Sequence, residues 1–164
     1  RHSPVEHGNL EAMIVHVQHK VLSHHGETDE TNVRFAHSNL LDIDVGALEG
    51  MTIDEARQMF PDVMLQWLTA PGAAKFPKGE SFKKMRTRIV ALLDELAPKH
   101  DGEAVALVTH RVVCRALLCV VLGLEPNALW RIQQDNACVN FFEKREHGFV
   151  VTLMNDTHHL MGNK

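Results

Sequence analysis

The chain has 164 residues, of which 45% are hydrophobic and 23% charged, a size and composition that fit one ordinary globular domain and exclude a disordered or fibrous protein. Seventeen Lys and Arg against 21 Asp and Glu give a net charge of -4, so no broad basic face invites nucleic acid or an anionic membrane. Any anionic ligand has to be held by a local pocket.

In chain order, Val21 to Ser23 is a short apolar stretch leading into His24-His25-Gly26-Glu27-Thr28, where the glycine and polar run predict a strand that ends and a loop that begins. Thr52-Ile53-Asp54-Glu55 has the form of a capping box and opens a helix near Ile53. Pro61 breaks or restarts that helix, and Val63, Met64, Trp67 and Leu68 form its next apolar stripe. The loop PGAAKFPKG that follows, at 71–79, reads as ordinary surface.

Ser81 caps the clearest amphipathic helix of the chain, with Phe82, Met85, Ile89, Leu92, Leu93 and Leu96 on one face, until Pro98 stops it. Ala104 to Val108 is a continuous apolar run suited to a strand buried on both faces, ending at Thr109-His110. Arg111 to Leu122 is a mostly buried helix with Gly123 as its C-cap. Segments 137–144 and 149–154, separated by REHG, predict a hairpin. Alternating strands and amphipathic helices call for an α/β sandwich.

Cys114, Cys119 and Cys138 are odd in number and show no CxxC spacing, which suggests reduced core thiols and a cytoplasmic location. The most apolar stretch, 116–124, is far shorter than the ~20 residues of a membrane helix, and no signal-peptide pattern opens the chain. Among twelve histidines, His16, His19, His24 and His25 crowd together. Histidines at i and i+3 share a helical face, but no carboxylate or cysteine joins them at tight spacing, so no metal is expected. A metal-binding module stays as a distant alternative.

His25 and His110 are both predicted at the C-terminal end of a core strand, the edge where open α/β sheets place ligands. Around them, HHGETDETN at 24–32, LLDIDVGALEG at 40–50, GES at 79–81 followed by Arg88, LVTHRVVCRALL at 107–118 and NDTHHL at 155–160 resemble, in order, the motifs of the histidine phosphatases, the phosphoglycerate mutase-like superfamily. The resemblance implies a three-layer α/β/α sandwich with a mostly parallel central sheet. It also implies a cofactor-independent phosphatase that hydrolyses a small phosphomonoester through a phosphohistidine, the partner being a small phosphorylated metabolite. By motif position His25 is the nucleophile, Asp42 the acid and base where most members carry glutamate, and His110 the donor to the phosphoryl oxygens. His24, Asn32, Arg34 and Arg111 are the phosphate-binding candidates.

Two departures from the family pattern stand out. His24 takes the place of an arginine whose bidentate fork stays charged. Only residues 34–39 separate the first two motifs, where the family spends several dozen more, so the single domain expected over 1–164 lacks or is missing a segment before residue 40. The rival RHSPVEHGN at 1–9 has serine for glycine and ranks below HHGET. A mutase-type phosphotransferase and a degenerate phosphate-binding member remain the alternatives, and oligomeric state is left open.

Overall fold

The computed structural model describes the backbone of one strand, β1 (Leu10–Val17), and all of residues 37–161. Thr52 and Glu55 open α1 (Ile53–Met59) reciprocally: the Thr52 hydroxyl accepts from the Glu55 amide, and the Glu55 carboxylate accepts from the Thr52 amide at 2.8 Å. Pro61 then starts α2 (Pro61–Thr69) at its first position, where the missing N–H is one the helix would leave unpaired anyway. Both features match the sequence expectation.

The 71–79 loop does not. Pro71, Ala74 and Phe76 are buried, because Phe76 packs edge-on against Trp67 at 5.3 Å and Trp130 closes the cluster at 5.0 Å from Trp67. The Trp130 indole donates to the Trp67 carbonyl at 2.6 Å, which satisfies its one polar atom. Proline- and glycine-rich composition signalled a surface loop, but packing of Phe76 on Trp67, with Trp130 from a distant segment behind it, favours burial.

Ser81 caps α3 (Phe82–Lys99), accepting from the Lys84 amide. Phe82, Met85, Ile89, Leu92 and Leu93 are buried, as their spacing predicts. Pro98 sits inside the last turn and the helix runs one residue beyond it; so near the end, the proline forfeits only a terminal hydrogen bond.

β2 (Ala104–His110) runs directly into α4 (Arg111–Val121), whose Val113, Cys114, Ala116, Leu117, Leu118, Cys119 and Val121 are buried. Gly123 takes φ +65 just past the helix, the left-handed conformation of a C-cap glycine. β3 (Val139–Arg145) and β4 (Gly148–Asp156) form the expected hairpin. The sheet order is β2-β1-β3-β4; β1 pairs antiparallel with β2 and parallel with β3.

Three expectations are corrected here. The described sheet is mixed, with one parallel interface of three, because β1 runs against β2. β2 is not buried on both faces: Leu107 and Thr109 are buried, whereas Ala104 and Ala106 are exposed and Val108 is 52% exposed. Leu107 and Phe142 join the side chains of α3 and α4 in one core, and among the described residues no comparable layer covers Val108. A helical second layer there is not seen in those residues. His16, named in the distant metal-module alternative, lies in a strand and not on a helix. The predicted strand at 21–23 lies outside the described residues.

All three cysteines are buried and outside any disulfide, and burial pushes the Cys119 thiol up to about 11. Ellman's reagent at mildly alkaline pH is therefore expected to leave all three unmodified in the folded chain and to titrate them fully in denaturant. Rapid reaction of any one in the native state would contradict this core.

Candidate active site

The site grows from the junction of β2 and α4. His110 is the N-cap of α4, in extended conformation, and its ring does not cap its own helix. The first-turn N–H groups of α4 therefore point past His110 with no side-chain acceptor from the cap, an arrangement suited to an anion. Arg111, exposed at the first helical position, adds a fixed positive charge beside it.

Thr109 ties a second segment to this strand end. The residue is 1% exposed and its hydroxyl donates to the Leu40 carbonyl at 2.6 Å, which brings the chain at 39–44 against His110. Within that segment Asp42 Oδ1 accepts from the Ile43 amide at 2.8 Å, and Oδ2 lies 3.7 Å from His110 Nδ1. The two side chains are 32% and 27% exposed, so the pair is held by the fold yet open to a ligand.

Two glycines lock the next turn. Gly46 has φ +52, and a Cβ there would collide with the Pro77 carbonyl and the Gly79 amide. A Cβ on Gly79 would collide with the Asp44 carbonyl. Backbone bonds fill the same contact, from the Ala47 amide to the Pro77 carbonyl and from the Glu80 amide to the Asp44 carbonyl, both 2.8 Å.

Arg88 lies underneath. Its Nη1 donates to the Asn39 carbonyl at 2.6 Å and its Nη2 to the Asp42 carbonyl at 3.2 Å. Nη2 and Nε also reach the two carboxylate oxygens of Glu80 at 2.8 and 3.3 Å. The side chains of Arg88 and Glu80 are 17% and 6% exposed. Glu80 and Arg88, placed in the sequence by the GES motif and the arginine that follows it, thus link the start of α3 to the segment carrying Asp42.

The NDTHHL segment serves a different joint. Asn155, at φ +57, accepts from the Asp135 amide at 2.7 Å and donates to the Asp135 carboxylate at 2.9 Å. The Asn155 amide, with that of Gln133, holds the Asp135 carboxyl below its usual range. Buried Asn140 and Gln134 exchange hydrogen bonds at 2.7 and 3.0 Å beneath it. His158 pairs with Asp156 at 2.8 Å and is otherwise solvent-facing.

Of the sequence-predicted site residues, the structure brings Asp42 and His110 together and sets Arg111 beside them. His24, His25, Asn32 and Arg34 lie outside the described residues. Thr109 and Asn39 escaped the sequence reading; the one available signal was that Thr109 immediately precedes the strand-end histidine. Among the described residues no three His, Cys, Asp or Glu gather as a metal site, and no helix is long and apolar enough to cross a membrane.

A strand-end histidine facing a carboxylate, with a helix N-terminus behind it, lies at the edge of the sheet where open α/β folds commonly place their ligands. The histidine phosphatase superfamily (branch 1) matches residues 28–157, a span that includes Asp42 and His110, and the chain belongs to that family. It is 30% identical over 121 residues to phosphoserine phosphatase 1 of Hydrogenobacter thermophilus, covering 74% of this chain and 57% of that protein. It is 28% identical over 117 residues to the metal-independent phosphoserine phosphatase of Arabidopsis thaliana, covering 71% and 48%. The chain thus spans about half the length of these relatives. Among solved structures it is similar to Bacillus stearothermophilus YhfR, with a TM-score of 0.72, 29% identity and coverage of 76% and 62%.

The glycine contact yields a stability test. Gly46→Ala combines a left-handed backbone with a backbone collision and is expected to cost about 2 kcal/mol or more, read as a lower urea midpoint. Gly50→Ala, where a Cβ meets nothing within 4 Å, keeps only the backbone strain and should cost less. Equal losses would mean that the contact between the two loops is not what holds the turn.

Proposed function

We propose that this chain carries the catalytic apparatus of a phosphatase acting on a small phosphomonoester. The observation that carries the reading is the approach of Asp42 Oδ2 to within 3.7 Å of His110 Nδ1 at the open end of β2. A phosphoryl group beside these two side chains meets a ring N–H and the first amides of α4 at its oxygens, and a carboxyl at the ester oxygen. Family membership supports the same chemistry.

In the first step a neutral imidazole nitrogen of His25 attacks phosphorus. The P–N bond forms, the P–O bond to the alcohol breaks, and protonated Asp42 gives its proton to the departing oxygen. In the second step the Asp42 carboxylate takes a proton from water as that water attacks the phosphohistidine. The P–N bond breaks, inorganic phosphate leaves, and both side chains return to their starting states. His110 and Arg111 hold the phosphoryl oxygens as negative charge builds on them, with His24, Asn32 and Arg34 as further phosphate ligands in this reading. O-Phosphoserine is the first substrate to test, since two similar proteins are named as phosphoserine phosphatases.

Phosphate release from O-phosphoserine is expected to fall on the order of 10²-fold or more in both Asp42→Asn and His110→Ala. Turnover unaffected by Asp42→Asn would end its assignment as the acid. For the nucleophile, a radiolabelled ester quenched in alkali, which preserves the phosphorus-nitrogen bond, is expected to leave label on the peptide containing His25. Label that persists in His25→Ala would assign the attack to another residue.

A further inference from the structure

We propose that Arg88, clasped by Glu80, is a positioning residue for the acid: it sets the backbone at 39–44 so that the Asp42 carboxyl meets the leaving oxygen. The inference rests on the reading of Asp42 as the acid.

An aspartate has little freedom of its own. With Oδ1 tied to the Ile43 amide at 2.8 Å, the direction of Oδ2 is fixed relative to the local backbone, so where Oδ2 lies depends on where that backbone lies. Arg88 holds it at two points, the carbonyls of Asn39 and Asp42. The guanidinium is in turn aimed by both oxygens of Glu80. Glu80 Oε1 also accepts from the Asp44 amide at 3.3 Å, so the segment is gripped before, at and after the acid. Thr109 ties Leu40 to the strand that carries His110, which references the grip to the other half of the site. A planar fork with fixed donor directions can serve two carbonyls and a carboxylate at once, whereas an ammonium is a point charge on a flexible stem.

A misplaced acid has a signature that general damage lacks. Expelling an alkoxide needs the proton, whereas a dinitrophenolate leaves with little help. Arg88→Lys, which keeps a positive charge beside Glu80, is therefore expected to lower kcat for O-phosphoserine on the order of 10²-fold. For 2,4-dinitrophenyl phosphate the quantity compared is the first-turnover burst of dinitrophenolate, which precedes the water attack that also uses Asp42, and its rate should change by no more than a few-fold. Equal loss on the two esters would overturn the proposal in favour of a merely structural role. If Arg88→Lys does not fold, Glu80→Asp, which keeps both charges and shortens the clasp, is read in the same way.

A second readout does not depend on turnover. The His110 ring signals in nuclear magnetic resonance spectra are expected to move in Arg88→Lys in the direction in which Asp42→Asn moves them, because both changes withdraw the carboxylate. Unmoved His110 signals would overturn the positioning role even if the unsubstituted chain hydrolyses neither ester. That last result would count against the proposed phosphatase activity alone.

Discussion

The site depends on one ion pair, in which a buried Glu80 clasps a largely covered Arg88. Taking Arg88 and Glu80 out of water costs several kcal/mol per ion, and only good geometry with every donor and acceptor in use repays it. Here the guanidinium spends Nε, Nη1 and Nη2, and both carboxylate oxygens of Glu80 are engaged. The return is connectivity: the pair joins the segment carrying Asp42, the turn at Asp44 and the N-terminal end of α3, none of which shares a ladder of backbone hydrogen bonds. The clasp adds to the Thr109 bond to Leu40 and to the backbone bonds at Asp44 and Ala47, and with them it holds these segments against the sheet.

The sheet supplies the other half of the site by a different principle. A strand that runs straight into a helix places one residue at the end of the ladder and, simultaneously, at the start of the helix. His110 is that residue, so its backbone is held by β2 and the orphan amides of α4 surround it. Thr109 faces the opposite way along the pleat, into the core, and uses its hydroxyl to hold Leu40. Two consecutive residues thus divide the work, one facing Asp42 at the open end of the strand and the other fastening the segment that carries Asp42.

What was legible in the sequence follows from how local each cause is. Thr52 and Glu55 announce α1 because a capping box is complete within four residues, and α3 is announced by a stripe of apolar side chains. The 71–79 loop misled because its burial depends on Trp67 and Trp130, and β2 misled because an apolar run does not say how many of its faces will be covered. The run Met13-Ile14-Val15 within β1 carried a strand signal that the nearby histidines obscured. Asp42 and His110 could be paired from sequence only through the ordered motifs they share with a family; spacing alone says nothing of a contact between residues so far apart. The ordered motifs singled out Arg88, but its partners were not legible, since nothing local says which loop carbonyls will pack over that face of the helix.

The aspartate at position 42 illustrates how geometry and residue type trade against each other. Where the family usually carries glutamate, this side chain is one methylene shorter, and length alone suggests an acid that falls short of its substrate. Reach is the sum of side-chain length and backbone position, however, and here the backbone is fastened to β2 by the Thr109 bond to Leu40 and held by Arg88. The carboxyl still comes within 3.7 Å of the His110 ring. A short acid tolerates less error than a long one, because it has fewer torsions with which to recover from a displaced backbone. An aspartate at this position therefore places a stricter demand on the surrounding clasp, and the glycine contact at Gly46 and Gly79 together with the Arg88 fork are the features that meet it.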